Sequence, residues 1–398
     1  MIRNCISIIG IRQAILYLSN LIAIIKVMAS LVDVLDSLTR PATLVEQAEG
    51  GSVRCLACAH RCLLKPGQRG ICQVRFNRDG TLMVPRGYVA GAQVDPIEKK
   101  PFNHFLPGSL ALTFGMLGCN FHCDFCQNWL SSQALRDDRS TRSINSIQKV
   151  EPEQLVEYAL RNGAEIIASS YNEPLITTEW AIEIFTLALK AGLKCVYISN
   201  GHATPQTLDA LKPCLSGYKI DLKSMQEKNY REMGGKLQNV LDTIQKAHEL
   251  GFWVEVVTLV IPGYNDSNEE LWEAARFIGS VSPDIPWHVT AFHPDYRMLD
   301  RPPTPADTLV RAAEIGQESG LKYVYAGNLP GRVKSLEDTY CPKCNTLLIS
   351  RLGYTIGEYK ISAQGTCPKC GTVQPGVWTD KPERINIGGN GYPRRARL

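Results

Sequence analysis

Gly118-Cys119-Asn120-Phe121-His122-Cys123-Asp124-Phe125-Cys126-Gln127-Asn128-Trp129 sets three cysteines at C-x3-C-x2-C spacing, directly after the apolar run Leu110-Ala111-Leu112-Thr113-Phe114. Three thiolates on one tight loop can hold three irons of a cubane [4Fe–4S] cluster, whereas an electron-transfer cluster normally takes a fourth cysteine. No fourth follows at ferredoxin spacing, which leaves one iron open to a ligand from outside the chain. The bare spacing also admits a zinc site or a loose set of buried thiols. Phe125 before the last cysteine, and the motif's place at a strand-to-loop junction, argue for the cluster.

The chain of 398 residues suits a core of about 200–250 residues with smaller appendages. Hydrophobic and charged fractions of 44% and 21% describe an ordinary soluble globular protein. A net charge of +4 is too small to indicate nucleic acid. Of the 14 cysteines, all but Cys5, Cys195 and Cys214 fall into three groups: Cys55/Cys58/Cys62/Cys72, Cys119/Cys123/Cys126, and Cys341/Cys344 with Cys367/Cys370. Such C-x2-C spacing points to metal or iron–sulfur sites rather than to a secreted disulfide framework. A reducing, cytoplasmic setting follows. The three outliers read as small hydrophobes.

The apolar stretch Cys5–Ile25 is interrupted by Arg12, Gln13 and Asn20 and closed by Lys26, so its unbroken part is short for a membrane span. Translation starting at Met28 is the favoured reading, because an ordered enzyme begins only near Leu31. A surface helix and a weak membrane anchor are the alternatives. Residues 31–48 begin with helical spacing (Leu31, Val34, Leu35, Leu38) that Pro41 breaks. Next, Cys55, Cys58, Cys62 and Cys72 at C-x2-C-x3-C-x9-C can close a zinc site or hold a second cluster. Gly67 and Gly70 allow the turns that bring Cys72 back, and His60 is either a substitute ligand or a surface residue. Residues 73–108 read as short strands and turns, with Asp95-Pro96-Ile97-Glu98-Lys99-Lys100-Pro101 as a proline-bounded connection whose charges either line a cleft or are solvated, the second being favoured.

From Leu110 to about Gly327 apolar runs alternate with helical patterns. The spacing predicts strands over Leu110–Phe114, Glu165–Ser170, Lys194–Ser199, Tyr218–Leu222, Phe252–Ile261, Trp287–Phe292 and Tyr323–Ala326. Helices are expected over Pro152–Asn162, Ile176–Ala191, Pro205–Leu211, Leu237–Leu250, Glu269–Ile278 and Asp307–Ser319, with Gly163, Gly192, Gly251 and Gly320 at their stops. Repeated β–α units give an α/β fold with a parallel sheet curled into a barrel or partial barrel, and the site belongs at the carboxyl ends of the strands. Polar residues recur there: Asn172 and Glu173, Ser199 and Asn200, Asp221 and Lys223, His293, Asn328. Any one alone would be a turn or cap residue; their recurrence around a barrel sets them apart. From Tyr340 the knuckles Cys341-Pro342-Lys343-Cys344 and Cys367-Pro368-Lys369-Cys370 read as a four-cysteine zinc ribbon, with rubredoxin-type iron as the minor alternative. The basic tail to Arg397 reads as frayed. Four segments follow: an N-terminal extension (1–50), a Cys-rich segment (51–108), the core (109–335), and the ribbon with its tail (336–398).

Residues 110–327 resemble the core of the radical S-adenosylmethionine (SAM) enzymes, most of all the branch of the pyruvate formate-lyase activating enzyme. Within that branch, Arg54 to about Trp378 is similar to the radical SAM component of the AmmeMemoRadiSam system. The likeness rests on the cysteine-rich start, Asp95 to Lys100, Cys119 to Trp129, Tyr171-Asn172-Glu173-Pro174 and the cysteine-paired end. It implies a partial (β/α) barrel in which Cys119, Cys123 and Cys126 ligate the cluster. Asn172 and Glu173 stand in the place of a Gly-Gly-Glu motif that binds the SAM amino group, although both glycines are missing. By the same resemblance Phe125 lies beside the adenine, Ser199 and Asn200 near the ribose, and Asp221, Lys223 and His293 at further SAM contacts.

The resemblance also implies a mechanism. Flavodoxin or ferredoxin reduces the cluster, which passes an electron into the SAM sulfonium. Methionine leaves, and the 5′-deoxyadenosyl radical abstracts hydrogen from a substrate while the protein excludes solvent. The substrate is open: a glycine of a partner protein, another protein, or a small molecule. A non-catalytic iron–sulfur or zinc interaction protein is the reading from another class.

Overall fold

Seven apolar runs become seven parallel strands lying side by side in chain order: Leu110–Gly115, Ile166–Ser169, Lys194–Ser199, Gly217–Asp221, Trp253–Val260, Trp287–Ala291 and Val324–Gly327. Each ends within one residue of its expected bounds. The computed structural model describes residues 30–389 and the backbone of Arg394–Arg395. The readings of a start at Met28 and of a surface or membrane helix lie outside the described residues. Among the described residues no helix is long and apolar enough to cross a membrane.

The crossover helices are Pro152–Arg161, Thr178–Lys190, Pro205–Leu211, Leu237–Glu249, Asn268–Val281 and Ala306–Glu318. Their ends follow local chemistry. The Thr204 and Ser267 hydroxyls accept from the amides of Thr207 and Glu270, and the four expected stop glycines all have positive φ. The second helix starts later than expected because Pro174–Thr177 forms a 3-10 turn. Between sheet and helices lie fully buried Trp180, Phe185 and Trp287, the last donating from Nε1 to Thr258 Oγ1 at 3.0 Å. Each such side chain contributes roughly 2–3 kcal/mol.

The sheet does not close. Val324–Gly327 is one edge, and at the other Gly91–Pro96 pairs antiparallel with Leu110–Gly115, giving a partial barrel. The backbone of Arg394–Arg395 adds a further antiparallel pair on Gly91–Pro96, so this part of the tail, expected to fray, is tied to a sheet edge instead. Before the barrel, the helix spans only Leu31–Ser37, capped by Ser30, and Thr39–Pro41 turns away to pair with Thr81–Pro85. This N-terminal region is bolted to the core by Arg75 and Glu179. Their side chains are each 1% exposed and meet through bonds of 2.7 and 2.8 Å.

The charges of Asp95 to Lys100 overturn the solvated reading. Asp95, Glu98 and Lys100 are buried. Asp95 accepts from Lys99 Nζ (3.0 Å) and Lys100 Nζ (2.9 Å), and Lys100 also donates to the Tyr171 hydroxyl at 3.2 Å. Opposite charges on one turn neutralise each other, so burial is tolerable; it still pushes the Lys100 amine down to about 8 against the pull of Asp95. The C-terminal strands Thr339–Tyr340, Leu347–Leu352 and Thr355–Tyr359 form an antiparallel sheet. This module seals the barrel at the amino-terminal ends of its last strands. Arg351 Nη2 donates to Asn103 O at 2.9 Å, while His104 bonds Pro375 O at 2.7 Å and the Tyr325 hydroxyl at 2.6 Å.

Candidate active site

The loop with three cysteines leaves the first parallel strand at its carboxyl end, as the barrel rule requires. Gly118 (φ +97°) opens it, and a Cβ there would lie 2.9 Å from Val74 and 3.1 Å from the Cys72 carbonyl. Only glycine fits that turn. The loop then curls on itself: the Phe121 amide donates to Cys119 Sγ at 3.3 Å and Ser132 Oγ lies 3.2 Å from Cys126 Sγ. Burial pushes the Cys123 thiol up to about 12 although Lys223 opposes it, and Cys119 rises through burial and the Glu173 carboxylate. Thiolates here therefore need a cationic centre. Among the described residues the group of ligand atoms gathered closely enough for a single ion is Cys341, Cys344, Cys367 and Cys370, not these three. Lysine, not a fourth cysteine, faces Cys123. That donor set suits a cubane, in which each cysteine bonds its own iron, better than zinc.

Glu173 sits behind the loop, buried, and organises the next two strand ends. Its Oε1 accepts from Ser199 Oγ (2.7 Å) and the Leu175 amide (3.1 Å), and its Oε2 accepts from the Asn200 amide at 2.8 Å. Burial pushes its carboxyl up to about 7 against these donors. Asn200 Nδ2 donates to Asn120 Oδ1 at 2.7 Å, joining this corner to the cysteine loop. Asn172 is turned to another task, its Oδ1 accepting the Met116 amide at 3.0 Å. Tyr171 holds φ +69°, the left-handed backbone for which the absent glycine would be the natural choice.

Asp221 and Lys223 form the opposite wall. Lys223 Nζ donates to Asp221 Oδ2 at 3.0 Å and lies 5.9 Å from the Phe125 ring centre. With Cys123, Cys126, Thr290 and Asn328 they line a cavity of about 230 Å³. His293 is exposed and reaches Gln127, next to Cys126, at 2.9 Å. The structure thus brings Phe125, Asp221 and Lys223 into the cavity with Cys123 and Cys126, and sets Asn172, Glu173, Ser199 and Asn200 behind Cys119.

Sequence reasoning missed Lys219, which is buried and donates to Asp221. The signal was there: Lys219, Asp221 and Lys223 alternate at period two, so they share one face. It also missed a second cavity of about 640 Å³, lined by Glu98, His288, Tyr325 and Arg351, which shares Thr290 and Asn328 with the first.

In the ribbon, Cys341, Cys344, Cys367 and Cys370 hold all four sulfurs within 4.8 Å, with closest pairs at 3.6 Å. A tetrahedral zinc with bonds of about 2.3 Å sets its sulfurs roughly 3.8 Å apart. The Thr372 hydroxyl and amide pull the Cys370 thiol down to about 6. Cys55, Cys58, Cys62 and Cys72 are brought to one place, with Cys62 and Cys72 sulfurs 3.7 and 3.8 Å from the Cβ position of Gly70. His60 is half-buried rather than a free surface residue, and its Nε2 bonds Asn120 O at 3.0 Å. Cys195 and Cys214 are buried thiols that donate to backbone carbonyls.

Residues 114–278 match the Radical SAM superfamily. An uncharacterized protein of Methanocaldococcus jannaschii is 38% identical over 314 residues, 78% of this chain and 91% of that protein. The GTP 3′,8-cyclase of Aquifex aeolicus is 25% identical, covering 59% of this chain and 77% of the cyclase. The isethionate sulfite-lyase activating enzyme of Oleidesulfovibrio alaskensis is 24% identical, covering 44% of this chain and 58% of that enzyme.

Proposed function

Because the chain belongs to the Radical SAM superfamily, whose members are enzymes, we propose that it cleaves SAM reductively at a [4Fe–4S] cluster held by Cys119, Cys123 and Cys126. The observation that carries this is the three-thiol loop at the carboxyl end of the first parallel strand, with Lys223 where a fourth ligand would face it. When bound, cluster and SAM supply one-electron chemistry that ends in a hydrogen-abstracting 5′-deoxyadenosyl radical. Enzyme membership sets aside the non-catalytic reading.

The chain's own groups position and shield. A carboxylate has about four acceptor sites, and Glu173 uses three on Ser199, Leu175 and Asn200; the remaining one, on Oε2, takes the SAM ammonium. Ser199 and Asn200 serve the ribose side, and Asn172 fixes the turn between them and the loop. Phe125 packs against the adenine, with Asp221 and Lys223 across the cavity, while His293 closes it from outside through Gln127. The electron comes from flavodoxin or ferredoxin in a cytoplasmic setting, and the ribbon cysteines hold zinc. The four N-terminal cysteines form another metal-binding set.

The hydrogen donor is a protein or small molecule that reaches the cavity beside Cys123 and Cys126. Likeness to an activating enzyme favours a glycine of a partner protein as one candidate, and a glycyl radical seen by electron paramagnetic resonance (EPR) in that partner would select it. The test of the core reading is 5′-deoxyadenosine formation by anaerobically reconstituted, dithionite-reduced protein. Product should form and be lost in Glu173→Ala. No product from fully loaded wild-type protein would refute it.

A further inference from the structure

We infer that Cys55, Cys58, Cys62 and Cys72 hold an iron–sulfur centre of their own, seated against the loop of the first cluster, and that an acidic electron-carrier protein delivers its electron through it. This rests on the SAM-cleaving reading for its purpose, though not for its chemistry.

The cysteines of this chain divide by what their sulfurs do. At Cys119, Cys126, Cys344 and Cys370 the amide two residues on is directed at the sulfur. The same arrangement recurs at Cys58, from His60, and at Cys72, from Val74. Amides aimed at sulfur favour thiolate, and amide bonds to cluster sulfurs tune its potential. Cys195 and Cys214, outside every group, do the reverse and donate to Phe185 O and Leu211 O. Cys55, Cys58 and Cys72 are buried, and buried thiolates require a cation.

That cation is not a single zinc. The ribbon gathers four sulfurs within 4.8 Å, and it is the one such group of three or more among the described residues. The N-terminal four form no such group among the described residues, and thiolates that bond the different irons of a cluster need not. The centre adjoins the first cluster: the Cys72 carbonyl lies 3.1 Å from where a Gly118 Cβ would stand, His60 bonds Asn120 O, and Arg136 bonds both Ile71 O and Phe121 O. Cys62 is half-buried, flanked by Leu63 and Ile71, which are 52% and 43% exposed. Residues 51–78 carry six cations and no carboxylate. Of these, Arg61 and the exposed Lys65 and Arg78 make no ion pair among the described residues, whereas Arg54, Arg69 and Arg75 do. An apolar spot in a basic field fits an acidic, low-potential carrier. One electron enters from the reduced carrier and one leaves to the neighbouring cluster; no bond or proton moves.

The experiment counts iron, sulfide and zinc in anaerobically purified full-length protein and in its Cys119/Cys123/Cys126→Ala variant. Wild type should hold iron beyond the roughly four atoms of one cubane. The variant should keep the excess and give an EPR signal, on dithionite reduction, that added SAM does not move. Zinc beyond the ribbon's ion, with no extra iron, would overturn the assignment. For delivery, Leu63→Glu/Ile71→Glu should retain both centres and dithionite-driven SAM cleavage but lose flavodoxin-driven cleavage; equal loss or retention with both reductants would overturn the route. Excess iron in a protein that never cleaves SAM would leave the centre standing and fell the SAM reading alone.

Discussion

Changing Arg75 to Met tests whether the N-terminal region and the barrel share one core. Arg75 donates to both oxygens of Glu179 and to Ile176 O, and the pair is almost wholly buried. Burial pushes the Glu179 carboxyl up, yet the guanidinium beside it wins and holds it below its usual range. In Arg75→Met that carboxylate keeps the Leu44 amide, at 3.3 Å, and its own backbone amide, with no guanidinium bonded to it. An unpaired buried charge of this kind costs about 3–5 kcal/mol. Adding Glu179→Leu removes the stranded charge, and the double variant should return to within about 1–2 kcal/mol of the parent. Urea unfolding of the three proteins, followed by tryptophan fluorescence, measures both. A loss below about 1 kcal/mol, the worth of an exposed pair, would refute the reasoning, as would a double variant no better than the single.

Further outcomes follow from other sites. Burial lowers His104 to about 4, below its ordinary 6.5, so the fold holds it neutral while the unfolded chain takes a proton. Its share of stability is therefore complete above about pH 6.5 and lost as pH falls toward 4; the protection of the amides in residues 374–378, taken relative to the free-chain exchange rate at each pH, should fall over that window, and a flat profile would contradict it. Gly118→Ala forces a Cβ against Val74 and the Cys72 carbonyl and should lower iron content on reconstitution; full iron loading would show that the turn tolerates it. Cys341→Ser should release zinc, read by metal analysis, with the iron chromophore retained. Iron in place of zinc at the ribbon would reverse that assignment.

The strands and helices of the core were legible because each carries its period and its stop residue. Gly163 and Gly192, for example, mark the turns where the chain re-enters the sheet. The cysteine loop was legible from spacing alone. What the sequence hid was pairing between distant segments. Asp95 and Lys100 look like surface charges until the barrel interior folds over them. His60 looks like a surface residue until Asn120 claims it. The division of the polar strand ends, with Glu173 behind Cys119 and Asp221 facing Cys123, depends on how far the sheet curls, which no local pattern records.

The bond from Arg351 to Asn103 spans 248 residues of chain. It fixes the order in which the molecule can be completed on the ribosome. The barrel strands are all made before the piece that floors them, so His104, Tyr325 and Glu255 stay open to water until the last knuckles emerge. A metal taken up by Cys341, Cys344, Cys367 and Cys370, which are placed to hold one, would thus also close a hatch over that lower chamber.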